Sequence, residues 1–313
     1  MFVLHTSNRT ENLLSHLAQV IDAQPLNSPF DKELFLIQSQ GMERWLSQQL
    51  ASQFGVWGNY HFYFPGNFVS EISAPFVGSS TAINYQREQM VWIIEQLLRD
   101  IEQEQIELFQ VITDYLQGEG RGVRRFQLAQ QLARIFDQYQ MMRPDWLRAW
   151  SNGKLLGLMP GTSTEKWQSE LWRRINQQFG DCHRGEIWQR AIDTIEKATE
   201  LELREKLPQR ISIFGLNTIP PLLLNLLKAL SRQVDIHLYL LTPTQEYWGE
   251  GGSRRAQLEQ SVNDDTTALN DHRLLLSLGE QAREFQKLML EQVTFTHEFA
   301  SYEMDDAVDG DES

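Results

Sequence analysis

The run Asp193-Thr194-Ile195-Glu196-Lys197 has the acid–acid–lysine order by which metal-dependent nucleases hold a divalent cation beside a phosphate. It is embedded among Ile187, Ala191, Ile192, Ile195 and Ala198, which recur at helical spacing. Its charged groups are therefore expected to point outward as a solvated i, i+3, i+4 cluster. A phosphate-binding loop needs glycines, so that backbone N–H groups can wrap the phosphates, followed by Lys-Ser/Thr. The Gly153-Lys154 pair is followed by Leu155, and the first strand-to-helix turn, His5 to Thr10, has neither glycine nor lysine. The third strand ends in Phe214, where a nucleotide hydrolase needs a metal-holding acid. Asp181-Cys182-His183 is too short a constellation for zinc, and the histidines are scattered without metal-ligand spacing. No Gly-x-Ser-x-Gly elbow occurs. The residues therefore offer no catalytic, metal or cofactor site.

Two other constellations suit recognition. Gln38 and Gln40 follow the apolar run Leu34-Phe35-Leu36-Ile37, and Arg44 lies among Met42, Trp45, Leu46 and Leu50, which recur at helical spacing. Amides and an arginine, without a carboxylate, fit bases and phosphates better than catalysis. In open α/β sheets, moreover, ligands bind outside the carboxyl ends of the strands. The plainer reading of this turn is helix capping and surface charge. Phe136-Asp137-Gln138-Tyr139 and Arg143-Pro144-Asp145-Trp146 put aromatics, an amide and an arginine on and beside one helix, a set able to stack and hydrogen-bond unpaired bases. The plainer alternative makes Phe136 and Tyr139 core and pairs Asp137 with Arg143 across the helix end. Trp45, Trp146, Trp150 and Trp188 read as packing residues.

The elements that must position these groups follow from periodicity. Phe2-Val3-Leu4 opens a strand, and Leu13, Leu14, Leu17, Val20 and Ile21 make an amphipathic helix with Asn8 or Thr10 as its N-cap. The first fifty or so residues thus read β-α-β-α, the start of a doubly wound parallel sheet. Tyr60 to Pro65 reads as extended, with a short helix from Asn67, and residues 78–81 read as a linker. From about residue 84 to Lys206 apolar residues recur every three or four positions, which predicts five or six helices and no strand. Strands return at Arg210–Gly215 and Val234–Leu241, around a helix whose first turn holds Pro220 and Pro221. Glu250 to Asp271 reads as a loop and about Arg273 to Gln292 as a last helix. The expected division is 1–80 and 207–297 for the halves of an α/β domain, 81–206 for an all-helical insertion, and 298–313 for an acidic, disordered end without a closing element.

Composition bounds the partners. The 313 residues carry a net charge of −14, 41% hydrophobic residues and 11% aromatic ones, the profile of an ordered globular chain. Half of the excess charge lies in Glu298, Glu303, Asp305, Asp306, Asp309, Asp311 and Glu312, near one end. By contrast, Gln117 to Arg148 holds Arg121, Arg124, Arg125, Arg134, Arg143 and Arg148 against Glu119, Asp137 and Asp145, so a local basic surface fits within an acidic whole. The lone Cys182 excludes an internal disulfide and suits a reducing compartment. With no run long enough to span a membrane, the expectation is a cytoplasmic protein without a membrane partner.

His5-Thr-Ser-Asn-Arg9, Ile37-Gln-Ser-Gln-Gly-Met42 with Trp45-Leu46, Phe136-Asp-Gln-Tyr139 with Arg143-Pro-Asp-Trp-Leu147, Gly215 with Pro220-Pro221, and Tyr247-Trp-Gly249 together resemble the RecC family, the gamma subunits of exodeoxyribonuclease V. The resemblance runs in one order from residue 1 to about residue 290. Family members are much longer, so it implies an N-terminal fragment lacking the rest of the motor-like region and an inactive nuclease-like C-terminal domain. It also implies a superfamily 1 helicase-like (RecA-like) fold that has lost its ATPase motifs. RecC-like subunits join RecB-like and RecD-like partners. They help to split duplex ends, bind single-stranded and forked DNA, and scan the 3′-terminated strand for the hotspot Chi. Carried over by motif, the DNA-contacting positions are Gln38, Gln40, Arg44, Phe64, Ser70, Arg134, Ile135, Asp137, Gln138, Arg143 and Arg184. Gln40 stands where the best-known members have a threonine, Arg44 a glutamine, Ser70 a tryptophan and Arg134 an aspartate, so the resemblance implies retained scanning with a different recognised sequence. The alternatives are a protein–protein scaffold without sequence readout, or an active ATPase or nuclease.

Overall fold

A computed structural model gives the fold, describing residues 1–28, 30–77, 85–104, 106–158, 163–180, 183–199, 202–203, 206–243 and 279–303. The expected linker at 78–81, Cys182, Tyr247–Gly249, the loop from Glu250 to Asp271, the start of the last predicted helix and the acids from Asp305 onward lie outside these residues. In chain order the elements are β1 (Phe2–Ser7), α1 (Thr10–Ala23), β2 (Glu33–Ile37), α2 (Gln40–Phe54), β3 (Tyr60–Tyr63) and α3 (Pro65–Val77). Helices α4 (Arg87–Glu104), α5 (Gln110–Leu116), α6 (Arg121–Met142), α7 (Pro144–Ser151), α8 (Thr164–Phe179) and α9 (Arg184–Lys197) follow. The chain continues through β4 (Arg210–Phe214), α10 (Pro221–Leu230), β5 (Asp235–Leu241), α11 (Glu280–Gln292) and β6 (His297–Ser301). Two compact units result: Met1–Val69 with Thr199–Ile219 and Leu227–Ser313, and Ser70–Ala198 with Pro220–Leu226.

The first unit is built on a six-stranded parallel sheet in the order β3-β2-β4-β5-β1-β6. Every residue of β2 and β4 is buried, and apart from Glu33, Arg210 and Ser212 both strands are apolar, as strands covered on both faces are. Successive side chains of a strand face opposite ways. Phe35 and Ile37, with Phe214 and Tyr239, pack on Leu13, Leu14 and Leu17 of α1 and on Leu46 and Leu50 of α2. From β2 the chain proceeds to β3 on one side, and from β4 to β5 on the other. Neighbouring β2 and β4 therefore flank a topological switch point.

The opposite ends of these two strands are tied by a buried ion pair. Arg210 Nε donates to Glu33 Oε2 at 3.1 Å, and a second guanidinium nitrogen reaches Glu33 Oε1. The remaining arm donates to the Gln24 and Val20 carbonyls at the end of α1, at 3.0 and 3.3 Å. The fork thus satisfies the carboxylate and the Gln24 carbonyl, and adds a second donor to the Val20 carbonyl, which already accepts the Gln24 N–H. Removing one partner would strand a buried charge at a cost of about 3–5 kcal/mol.

Two expectations about the chain ends and caps are corrected. The sequence predicts an acidic, disordered end over 298–313, yet His297–Ser301 forms the edge strand β6, paired in parallel with Val3–Ser7 of β1. Its sequence, His-Glu-Phe-Ala-Ser, shows no apolar alternation because the strand is held by backbone pairing and is largely exposed. The N-cap of α1 is Arg9, in extended conformation and without a side-chain cap bond, rather than Asn8 or Thr10. Asn8 is engaged elsewhere: its amide donates to the Glu303 carbonyl at 2.8 Å and accepts from the Glu303 N–H at 3.1 Å, while Arg9 pairs with the Glu303 carboxylate.

The regular elements described in the second unit are all helices. Ile94, Leu98 and Ile101 of α4, Leu132, Ala133 and Phe136 of α6, Trp150 of α7, and Leu171, Trp172 and Ile175 of α8 form its core. Arg125 of α6 locks α4 in place through Glu95 at 2.8 Å and Glu102 at 2.6 Å. In the Asp193–Lys197 run on α9, Asp193, Glu196 and Lys197 are exposed.

Candidate nucleic-acid interface

The turn at the switch point is set by one serine. Ser39, in extended conformation, caps α2 by accepting the Met42 N–H at 3.2 Å. The helix starts at Gln40, so Gln40 and Gly41 belong to its first turn. Gln38, Gln40 and Arg44 are all exposed just past the carboxyl end of β2. Arg44 has no ion pair among the described residues. On the β4 side Gly215 adopts φ +68°, and a Cβ there would lie 2.8 Å from Met42 Cε. Glycine therefore permits both the left-handed turn and its close approach to the start of α2. Phe64 is half-buried against the core layer and its carbonyl accepts the first bond of α3, from Phe68 N–H at 2.9 Å. Ser70 lies exposed on α3.

The remaining carried-over residues lie in the helical unit. Arg134 and Gln138 are exposed on α6, Ile135 is half-buried, and Arg134 has no ion pair among the described residues. Phe136 is core and Tyr139 is half-buried against it, the plainer of the two readings for these rings. Asp137 pairs with Arg184 at the start of α9, and not with Arg143. Arg143 instead lies over the Trp146 ring, 5.5 Å from its centroid. The reason lies in tertiary packing, which brings α9 against α6. Asp137 and Arg184 are half-buried, and the buried Nε of Arg184 has no hydrogen-bond partner among the described residues.

Three residues outside the carried-over set arrange this pair. Gln140 is fully buried; its amide donates to the Tyr85 carbonyl at 3.1 Å and its oxygen accepts the Arg184 backbone N–H at 3.0 Å. His183 is the N-cap of α9, its Nδ1 accepting the Glu186 N–H at 3.2 Å. Gly185 follows, and a Cβ there would lie 2.8 Å from both the Gln140 carbonyl oxygen and Pro144 Cβ. His183-Arg184-Gly185 before an apolar helical run carries a capping signal, but nothing local reveals which helix it abuts.

A second buried cluster lies in the sheet unit. His5 Nε2 and His237 Nδ1 are 3.1 Å apart, and the His5 ring stacks on Tyr239 and Phe299 with centroids at 4.4 and 5.1 Å. Burial, with neighbouring His237 and His16, pushes His5 down to about 3, while burial and nearby Arg210 bring His237 to about 4. Histidines scattered in sequence thus meet in space. Among the described residues, however, no group of three His, Cys, Asp or Glu side chains is placed to hold a metal ion.

A six-stranded parallel sheet packed with helices, with exposed amides and an arginine past the carboxyl end of β2, defines an α/β domain. The chain matches the family model described as RecC, N-terminal domain, over residues 2–310, and belongs to that family. It is 33% identical to the RecBCD enzyme subunit RecC of Escherichia coli (strain K12) over 259 residues, 80% of this chain and 22% of that protein. It is 30% identical to the RecBCD enzyme subunit RecC of Mycolicibacterium smegmatis over 301 residues, 93% of this chain and 26% of that protein. The Haemophilus influenzae subunit is 29% identical, with 80% of this chain and 24% of that protein covered. The chain thus spans about a quarter of the length of these relatives.

Proposed function

We propose that this chain is part of a non-catalytic DNA-binding and scanning subunit of a RecBCD-type exodeoxyribonuclease V, working with RecB-like and RecD-like partners. In this reading the sheet unit is a degenerate superfamily 1 helicase-like domain, and residues 81–206 are an inserted all-helical domain within it. The subunit helps to separate the strands of a duplex end and reads the 3′-terminated strand for a recombination hotspot. It is read as soluble and cytoplasmic; no helix among the described residues is long and apolar enough to cross a membrane.

The observation that carries the reading is the pair of amides and the arginine, Gln38, Gln40 and Arg44, exposed past the carboxyl end of β2 at the switch point. Amides can read base edges, and an unpaired guanidinium attracts phosphate. Family membership supports the same reading. So does the turn after β1, where a motor domain would cradle phosphate: it contains no glycine, and its Asn8 and Arg9 are engaged by Glu303. In the helical unit, Asp137 and Arg184 hold an acceptor and a donor in fixed register, with Gln138 and Arg143 nearby in sequence.

The test is single-stranded DNA binding and hotspot response of the partner-assembled complex carrying Arg143→Ala plus Arg184→Ala. Loss of the hotspot response with unwinding intact is the expected result. Survival of both would favour a scaffold that does not read sequence.

A further inference from the structure

One side of the helical unit carries an aromatic surface that the residues above do not use. Trp92 of α4 is 64% exposed, and its ring leans on Phe126 of α6 with centroids 5.4 Å apart and 47° between planes. The two rings line a concavity of about 230 Å³ together with Arg87, Glu88, Val91 and Gln130. Trp150, Trp172 and Trp188 of the same unit are buried, whereas Trp92 is not. Here a large apolar face stays in water beside one arginine and one amide.

Helix geometry links this concavity to the proposed reading residues. Phe126, Gln130, Arg134 and Gln138 follow one another at i, i+4 spacing, so they form a single ridge of α6 that rises about 6 Å per step. Gln130, Arg134 and Gln138 are exposed along it. The ridge therefore carries a cation, two amides and, at one end, a two-ring aromatic surface, the composition of a single-strand binding track.

We propose that Trp92 and Phe126 form a stacking platform for one unpaired base of single-stranded DNA, on the same strand that Arg134 and Gln138 contact. The proposal rests on the strand-reading function argued above. Gln130 supplies an amide for the base edge and Arg87 a cation for its phosphate. Glu88 on the rim opposes that phosphate, so stacking and not charge holds the nucleotide. Every base has a π-face, so the platform tolerates any sequence and would hold the strand without choosing the hotspot.

The experiment uses the chain within its assembled complex and single-stranded oligonucleotides carrying one 5-iodouracil at successive positions. Photocrosslinks are mapped to peptides, and affinity is measured for Trp92→Ala and Trp92→Phe. One nucleotide position should crosslink to the peptide containing Trp92. Trp92→Ala should lose that crosslink and weaken binding about fivefold to a hundredfold without changing the preferred hotspot, and Trp92→Phe should recover most of the affinity. Crosslinks confined to Arg134–Gln138, with Trp92→Ala binding as tightly as the parent, would overturn the platform and leave strand reading standing. Absence of any crosslink to this chain would overturn both. If Trp92→Ala loosens subunit assembly while the assembled complex binds DNA unchanged, the surface meets a protein and the proposal is wrong.

Discussion

Arg44 and Arg134 show what a single position contributes. Each is exposed and without an ion pair among the described residues, so its charge is available to a phosphate. Asp137 and Arg184 are committed to one another, which fixes the direction of both groups but neutralises their net charge. The two kinds of residue should therefore fail differently. Replacing Arg44→Gln together with Arg134→Asp in the assembled complex should change the preferred hotspot. It should also lower the slope of log affinity against log salt by roughly 0.7 for each phosphate that is no longer neutralised. The check is a salt titration of single-strand binding beside a hotspot assay, and an unchanged hotspot would count against readout by these two positions. The sequence suggests Asp137 with Arg143 as a pair because they lie close in the chain. The partner is instead Arg184, 47 positions away, because α9 supplies it from across the helical core.

At the scale of elements, the register of α9 against the α6–α7 corner decides where Arg184 stands. That register depends on Gly185, where a Cβ would meet the Gln140 carbonyl oxygen and Pro144 at 2.8 Å, and on Gln140, whose side chain bonds the Arg184 N–H. Backbone and a proline ring cannot yield as a flexible side-chain tip can. Gly185→Ala should therefore destabilise the helical unit by about 1–3 kcal/mol and weaken the Asp137–Arg184 pair with it. Thermal unfolding of the variant measures the first effect, and hotspot response at permissive temperature measures the second. An unchanged melting profile would show that α9 is free to shift. This element was half legible. The apolar period of Ile187, Ala191, Ile192 and Ile195 predicts a helix, and the solvated face of Asp193, Glu196 and Lys197 follows from the same period. The close approach at Gly185 depends on residues some forty positions earlier, and no local pattern encodes it.

At the scale of the molecule, the buried histidines link the sheet unit to pH. His5 and His237 are held near 3 and 4 in the folded chain, against about 6.5 in an unfolded one. Below about pH 6.5 the unfolded chain therefore takes up protons that the folded sheet refuses. Their contribution to stability is complete above that value and is lost progressively as pH falls toward 4, by up to about 1.4 kcal/mol per pH unit for each histidine. Denaturant unfolding at pH 7.5 and pH 5 should show this loss, and His237→Gln should reduce it. A parent chain equally stable at both values would exclude the effect. The net charge of −14 is likewise a property of the whole, and it conceals the arginine-rich stretch from Gln117 to Arg148.

Periodicity alone determined that β1, β2, β4 and β5 are strands of a parallel sheet and that a helical stretch interrupts them. A strand buried on both faces is mostly apolar, and a helix must repeat its apolar face every three or four residues. Only the tertiary structure decided the strand order that makes β2 and β4 a switch point and the edge pairing of β6. It likewise decided the Asp137–Arg184 pair, the Glu33–Arg210 fork and the meeting of His5, His16 and His237. Each of these joins residues that local spacing does not connect, because backbone pairing and side-chain packing set who meets whom.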